Sequence, residues 1–273
     1  MFFHRKELQY HSKPDAPDPV FAKQVQELIG GQFGEMSVAF QYLFQSWGTR
    51  GNDNYRDLLM DTGTQELGHI EMLATMVARL LEGAPVYEQE KAAKDPVVGA
   101  IMGGMNPQHA IVHGLGASPK DSNGVPWNAG YIVASGNLLA DFRANVNAES
   151  QGRLQVARLY SMTDDRGVKD LFSFLIARDT MHQNQWLAAI KELEAKEGVI
   201  VPGTLPPEWE AQEYSHTLYT NSETSTSSQL DFLKHPAPDG KPFKVEESQA
   251  FSGPPELKPA PPQAHNTLPG QDK

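Results

Sequence analysis

The chain has 273 residues and no cysteine. This absence excludes disulfides, thiolate metal sites and a catalytic thiol. Positive charge is also scarce, with 23 Lys and Arg against 34 Asp and Glu, so no basic surface for nucleic acid is expected. No stretch approaches the ~20 apolar residues of a membrane span, and no apolar signal segment follows Met1. These absences predict a cytoplasmic protein that binds neither nucleic acid nor membrane.

Four stretches repeat apolar residues at steps of three and four, the spacing of helices that bury one face. They cover 19–47, 53–81, 131–162 and 167–196. The Gly- and Pro-rich residues 84–127 form too long a connection for an ordinary loop, and a crossover between two helical hairpins would explain them. The sequence therefore predicts an all-α protein built on a four-helix bundle.

The two ends of the chain differ from this helical pattern. Residues 1–18 are polar and are predicted to form an extended N-terminal arm before a bundle at 19–198. Twelve of the twenty prolines lie from Pro202 onward. Such a segment cannot build its own core. We therefore expect residues 199–273 to form an extended Pro/Ser-rich C-terminal tail, either disordered or laid over another surface.

Each predicted hairpin carries the same arrangement of acids and histidine. The first has Glu35 and then Glu66-x-x-His69, 31 residues on; the second has Glu149 and then Asp179-x-x-His182, 30 residues on. Residues three apart share one face of a helix, and here that face is apolar. Buried carboxylates are costly unless they are paired or bind a metal. The repeated pattern favours a dinuclear carboxylate metal site over a coincidence of buried polar groups.

Position 179 departs from this pattern, because aspartate is one methylene shorter than glutamate. Asp179 is either a ligand or a free carboxylate that shuttles protons beside the metals. In the second case five ligands remain, which are Glu35, Glu66, His69, Glu149 and His182. Carboxylate and imidazole ligands suit manganese or iron, and spacing does not choose between them. A di-iron oxidase or peroxidase on the same bundle is therefore the alternative to a manganese enzyme.

Three motifs resemble those of the non-haem manganese catalases over about residues 1–205. They are Gly30-Gly31-Gln32-Phe33-Gly34-Glu35-Met36-Ser37, Glu66-Leu67-Gly68-His69-Ile70-Glu71 and Ala134-Ser135-Gly136-Asn137-Leu138. The resemblance implies a ferritin-like bundle and the disproportionation of hydrogen peroxide to water and dioxygen. It also implies two manganese ions per subunit, cycling between Mn(II)2 and Mn(III)2.

The resemblance further implies roles for individual residues. Glu66 would bridge the two manganese ions, while Glu35 and Glu149 would be terminal carboxylate ligands and His69 and His182 the imidazole ligands. Asp179 matches the position of an outer-sphere base that is glutamate in some members. Tyr42 matches a tyrosine that hydrogen-bonds near the first ligand. Some members also have an arginine where this chain has Ala148.

A second metal site is suggested by Asp57 and Asp61, which lie four residues apart. Their like charges repel unless a cation lies between them, although a solvated acidic face is an equal alternative. The resemblance implies calcium here, completed by a loop around Ser222. It also implies a homohexamer, for which the N-terminal arm and the tail would suit exchange between subunits.

Overall fold

The computed structural model describes residues 5–51, 53–83, 104–220 and 225–248, together with residues 250, 252–258, 260, 261 and 264. The helices are α1 (Pro19–Val25), α2 (Glu27–Gly30), α3 (Glu35–Gly48), α4 (Asp53–Leu80), α5 (Gln108–Ile111), α6 (Leu138–Tyr160) and α7 (Arg166–Glu197). The strands are β1 (Thr217–Thr220) and β2 (Lys244–Glu247). None of the described helices has the length and apolar character that crossing a bilayer requires.

Capping residues define the ends of the long helices. Asn137 accepts a hydrogen bond from the backbone of Ala140 at the start of α6, and Asp165 accepts one from Val168 at the start of α7. Helix α7 ends at Gly198, which has the left-handed conformation with φ 68°. These caps place Glu149 near the middle of α6 and His182 near the middle of α7.

The first predicted helix is not continuous, because a non-helical segment separates α2 from α3. Gly30 packs against the backbone of Lys120, where a Cβ atom would lie 2.3 Å from the Lys120 carbonyl oxygen. A Cβ on Gly34 would lie 2.8 Å from the Leu28 carbonyl oxygen. The glycines therefore permit close backbone approaches that end one helix and begin the next. As a result, Glu35 lies in the first turn of α3.

The four long helices pack as pairs, with α3 along α4 and α6 along α7. Further contacts join α3 to α6 and α4 to α7. Two apolar clusters lie one after the other along the helices. The first contains Leu59 of α4 and Trp186 of α7, and the second contains Met72 of α4 and Leu175 of α7. The buried polar residues of α4 and α7 occupy the sequence between these clusters, so apolar packing supports them on both sides.

The N-terminal arm lies against α4 and α7. The Tyr10 ring stacks on Phe174 with the centroids 4.4 Å apart. The Ser12 hydroxyl donates to the Met72 carbonyl at 2.7 Å, and Arg79 donates to the carbonyl of Ser12. Of the predicted crossover at 84–127, residues 84–103 lie outside the described residues.

The chain divides into two compact units, residues 1–202 and residues 203–273. In the second unit, β1 pairs in parallel with β2, and Thr217 lies opposite Lys244. The Phe232 and Phe243 rings meet edge to face at 5.4 Å. The sequence pattern did not predict these two strands, because they are short and lie within a proline-rich region.

Candidate metal centre

Six titratable side chains from four helices meet in the interior of the first unit. Helix α3 contributes one, α6 contributes one, and α4 and α7 contribute two each. None is more than 7% exposed. They are Glu35, Glu66, His69, Glu149, Asp179 and His182. Burial of so many ionisable groups is costly unless they compensate one another or bind cations.

Five of the six form two overlapping groups that share Glu66. The first group is Glu35, Glu66 and His69, and the second is Glu66, Glu149 and His182. In each group one potential ligand atom from every residue lies within 4.8 Å of the others. The structure therefore brings together all five residues that the sequence analysis predicted as metal ligands.

Glu66 faces both histidines with different oxygen atoms. Its Oε2 lies 2.6 Å from Nδ1 of His69, and its Oε1 lies 2.7 Å from Nδ1 of His182. The outer carboxylates are more distant, with Glu35 3.8 Å from Nδ1 of His69 and Glu149 3.6 Å from Nδ1 of His182. This is the arrangement that a carboxylate bridging two positions would have.

The same atoms are buried without hydrogen bonds. Both oxygens of Glu66 and the Nδ1 atoms of His69 and His182 lack a hydrogen-bond partner among the described residues. The short N···O distances thus come from convergence of the atoms rather than from aligned donors and acceptors. Unsatisfied buried groups cost about 1–3 kcal/mol each. Three carboxylates and two imidazoles fit two divalent cations of the manganese or iron type.

Without cations, the groups compensate by holding protons. Burial raises the pKa of Glu35 to about 7, and the charge of Glu66 adds to this effect. Burial opposes protonation of His182, yet the charges of Glu66 and Glu149 raise its pKa to about 10. The pKa of His69 is also raised well above its ordinary value, because its attraction to Glu66 outweighs burial. Protonated His182 therefore supplies part of the positive charge that the buried carboxylates need in the metal-free protein.

Asp179 lies in neither of the two groups, although it is close to them. It shares a small cavity with Glu35 and Glu149, whose wall includes Phe33 and Gly152. Burial raises the pKa of the Asp179 carboxyl well above its ordinary value, and the charges of Glu35 and Glu149 raise it further. The surroundings of Asp179 thus favour the protonated carboxyl more than water does.

Tyr42 makes a direct contact with the cluster. Its hydroxyl donates a short hydrogen bond to Oε1 of Glu149, and its ring packs 5.1 Å from that of Trp186. Burial, together with the charge of Glu149, raises the pKa of the Tyr42 hydroxyl. Tyr42 is therefore held as a neutral donor that orients Glu149.

One contact with the cluster is not predicted by the sequence pattern. Gln65, which directly precedes Glu66, has its side-chain oxygen 3.3 Å from Nε2 of His182. Arg178 donates to the same oxygen at 2.8 Å. Nothing in the local pattern marks Gln65, because its role depends on a partner in another helix.

The predicted calcium site is only partly described. Asp57 and Asp61 are exposed on the first half of α4, whereas Ser222 lies outside the described residues. The calcium site stays a prediction.

The fold and the site define a class of protein. It is a largely helical protein in which two Glu and His groups are able to hold two metal ions. The family model described as manganese containing catalase matches residues 1–272. A "Manganese catalase" of Bacillus subtilis (strain 168) is 68% identical over 273 residues, covering 100% of both chains. The chain belongs to the manganese catalase family, which confirms the resemblance inferred from its motifs.

More distant relatives agree with this family. The "Manganese catalase" of Lactiplantibacillus plantarum is 48% identical over 267 residues, covering 97% of this chain and 99% of that one. The crystal structure of KatB, a manganese catalase from Anabaena PCC7120, matches with a TM-score of 0.72 at 24% identity. That match covers 91% of this chain and 100% of KatB, and it shows that the fold is shared.

Proposed function

We propose that the buried cluster is the dimanganese centre at which this catalase disproportionates hydrogen peroxide to water and dioxygen. The observation that carries the proposal is the carboxylate of Glu66, which faces a different histidine with each oxygen. The high identity to a manganese catalase over the whole chain supports manganese over the di-iron alternative. The proposed ligands are Glu35, Glu66, His69, Glu149 and His182.

Two manganese ions, when bound, supply a redox pair that exchanges two electrons with peroxide, so no external reductant is needed. The protein holds the ligands in position, transfers protons and excludes water from the cluster. Glu66 would bridge, and Glu35 and Glu149 would each hold one side of the pair. Tyr42 keeps Glu149 oriented through its hydrogen bond. The apolar packing above and below keeps the local dielectric constant low, which strengthens these interactions.

Asp179 is the proposed proton carrier. Disproportionation takes two protons from one peroxide and delivers two to the other, so a group that accepts and returns protons is required. Asp179 lines the same cavity as Glu35 and Glu149, and the pKa of its carboxyl is raised. A small molecule in that cavity would therefore lie beside both the ligands and the proton carrier.

Manganese binding to the metal-free protein is expected to release protons at pH 7. Metal ligands must be deprotonated, whereas a pKa of about 10 keeps His182 protonated at pH 7 and a pKa of about 7 leaves Glu35 about half protonated. At least about one proton per chain should leave, and the affinity should fall as the pH falls. Titration calorimetry in two buffers of different ionisation enthalpy measures this number; a buffer-independent heat would contradict the assignment.

The raised pKa of His182 makes the stability of the metal-free fold depend on pH. The folded-state pKa of His182, about 10, exceeds its ordinary value of 6.5. The attraction of His182 to Glu66 and Glu149 therefore stabilises the metal-free fold fully below pH 6.5 and is lost as the pH rises through about 10.

The wider organisation is also proposed. We infer that α3, α4, α6 and α7 form a ferritin-like four-helix bundle, because they pack as two contacting pairs around the cluster. We also propose that the chain has three parts, which are an N-terminal arm at 1–18, the bundle at 19–198 and a C-terminal tail at 199–273. A cytoplasmic homohexamer and a calcium ion near Asp57, Asp61 and Ser222 are further proposals, which rest on the family resemblance.

Oxygen evolution from peroxide alone tests the proposed function. Purified protein given only hydrogen peroxide is expected to yield one dioxygen for every two peroxides consumed. A peroxidase would instead consume peroxide only with an added electron donor and would release little dioxygen. Dependence on such a donor would contradict the proposal.

A further inference from the structure

We propose that Arg178 and Gln65 form a positioning pair that fixes the tautomer of His182 and so supports one of the two metal positions. The proposal rests on the proposed dimanganese centre. The three residues come from two helices, since Gln65 is on α4 and both Arg178 and His182 are on α7. Arg178 and His182 are four residues apart and therefore share one face of α7.

The contacts run from the guanidinium to the imidazole through one oxygen atom. Nη2 of Arg178 donates to Oε1 of Gln65 at 2.8 Å. The same Oε1 lies 3.3 Å from Nε2 of His182. On the other side of the ring, Nδ1 of His182 lies 2.7 Å from Glu66 and 3.6 Å from Glu149.

The chemistry of these groups determines where the proton sits. A guanidinium only donates hydrogen bonds, so the oxygen of the Gln65 amide must face Arg178. That oxygen only accepts, so Nε2 of His182 must carry a hydrogen to bond with it. In a neutral imidazole, a proton on Nε2 leaves the lone pair on Nδ1. Arg178 thus orients Gln65. When His182 loses one proton on metal binding, Gln65 keeps the remaining hydrogen on Nε2, and the lone pair forms on Nδ1 beside the carboxylates.

The other histidine of the cluster is held differently. Nε2 of His69 has no hydrogen-bond partner among the described residues. Its ring meets Phe174 edge to face, with centroids 6.3 Å apart and an angle of 83°. Apolar packing therefore orients His69, whereas a charge-assisted chain orients His182. The two metal positions are consequently expected to respond unequally when the chain of contacts is cut.

The test compares manganese binding by purified full-length variants. Gln65→Met removes the acceptor while keeping the side-chain length, and Gln65→Glu retains an oxygen that accepts from both neighbours. The matched control is Gln185→Met, because Gln185 is a partly buried amide on α7 that donates to Thr62 at 2.8 Å. Free Mn(II) measured by electron paramagnetic resonance during titration gives the number and affinity of the positions.

The expected result is a loss at one position only. Wild type and Gln185→Met should bind two manganese ions per chain, whereas Gln65→Met should bind one normally and the second about 10–100-fold more weakly. Gln65→Glu should restore the second position. Arg178→Met should weaken the same position, which provides an independent variant if Gln65→Met does not fold.

Three results would overturn the pair's role. They are unchanged binding in Gln65→Met and Arg178→Met, equal weakening of both positions, and failure of Gln65→Glu to restore binding. The proposed function fails separately: wild-type protein that binds no manganese or evolves no dioxygen would contradict the centre itself. Wild-type protein with two manganese ions and normal activity, combined with unaffected variants, would overturn only the positioning pair.

Discussion

Replacing Glu66 by glutamine is expected to lower the rate of peroxide disproportionation by at least about 1,000-fold. Loss of a partner that only orients a ligand typically costs 10–100-fold, and Glu66 faces both halves of the cluster directly. The amide nitrogen of glutamine cannot serve as an anionic bridge, and the substitution removes one of three carboxylates from the five-residue set. Oxygen evolution and manganese content per chain, measured on the same preparation, test this expectation.

Glu71→Gln is the control for that experiment. Glu71 lies on the same helix and outside both Glu and His groups. The control should retain two manganese ions and wild-type oxygen evolution. If Glu66→Gln kept two manganese ions and an activity within about 10-fold of wild type, the bridging role of Glu66 would be wrong.

Replacing Asp179 by asparagine is expected to lower the turnover number by about 100–10,000-fold while leaving the manganese content unchanged. This range is the usual contribution of a positioned proton-transfer group. Asparagine has nearly the same shape as aspartate and fills the same place in the cavity beside Glu35 and Glu149. It cannot take up and return a proton, so the proton transfers of the reaction would slow.

Metal analysis of Asp179→Asn separates the two roles that the sequence left open. An outer-sphere proton carrier predicts two manganese ions and slow turnover, whereas a ligand predicts loss of manganese. Asp170→Asn is a control on the same helix, since Asp170 is exposed and accepts from the Tyr10 hydroxyl. Full activity of Asp179→Asn with bound manganese would contradict proton transfer through Asp179.

The periodicity of the chain predicted most of the helical structure, and the break before Glu35 shows its limit. Apolar residues recur at helical spacing through 19–47, so the pattern alone indicates one helix. At the break, Gly34 lies close to the Leu28 carbonyl, and Gly30 packs against the backbone of Lys120, about ninety residues along the chain. A local pattern contains no information on such a distant contact.

In the candidate site too, contacts within one helix could be predicted from the sequence, whereas contacts between helices could not. Glu66 and His69 share a face of one helix, so their spacing alone predicts that they lie together. The repeat in the second hairpin adds Glu149 and His182. The hydrogen bonds to Gln65 could not be predicted in this way, because they depend on how α4 and α7 are rotated against each other.

Metal reconstitution tests the central claim most directly. Metal-free protein is titrated with Mn(II) or Fe(II), and dioxygen evolved from hydrogen peroxide alone is measured against the bound metal per chain. The dimanganese centre predicts that activity returns with manganese, reaches its maximum at two ions per chain, and does not return with iron. Activity restored by iron, or activity that persists in the metal-free protein, would contradict it.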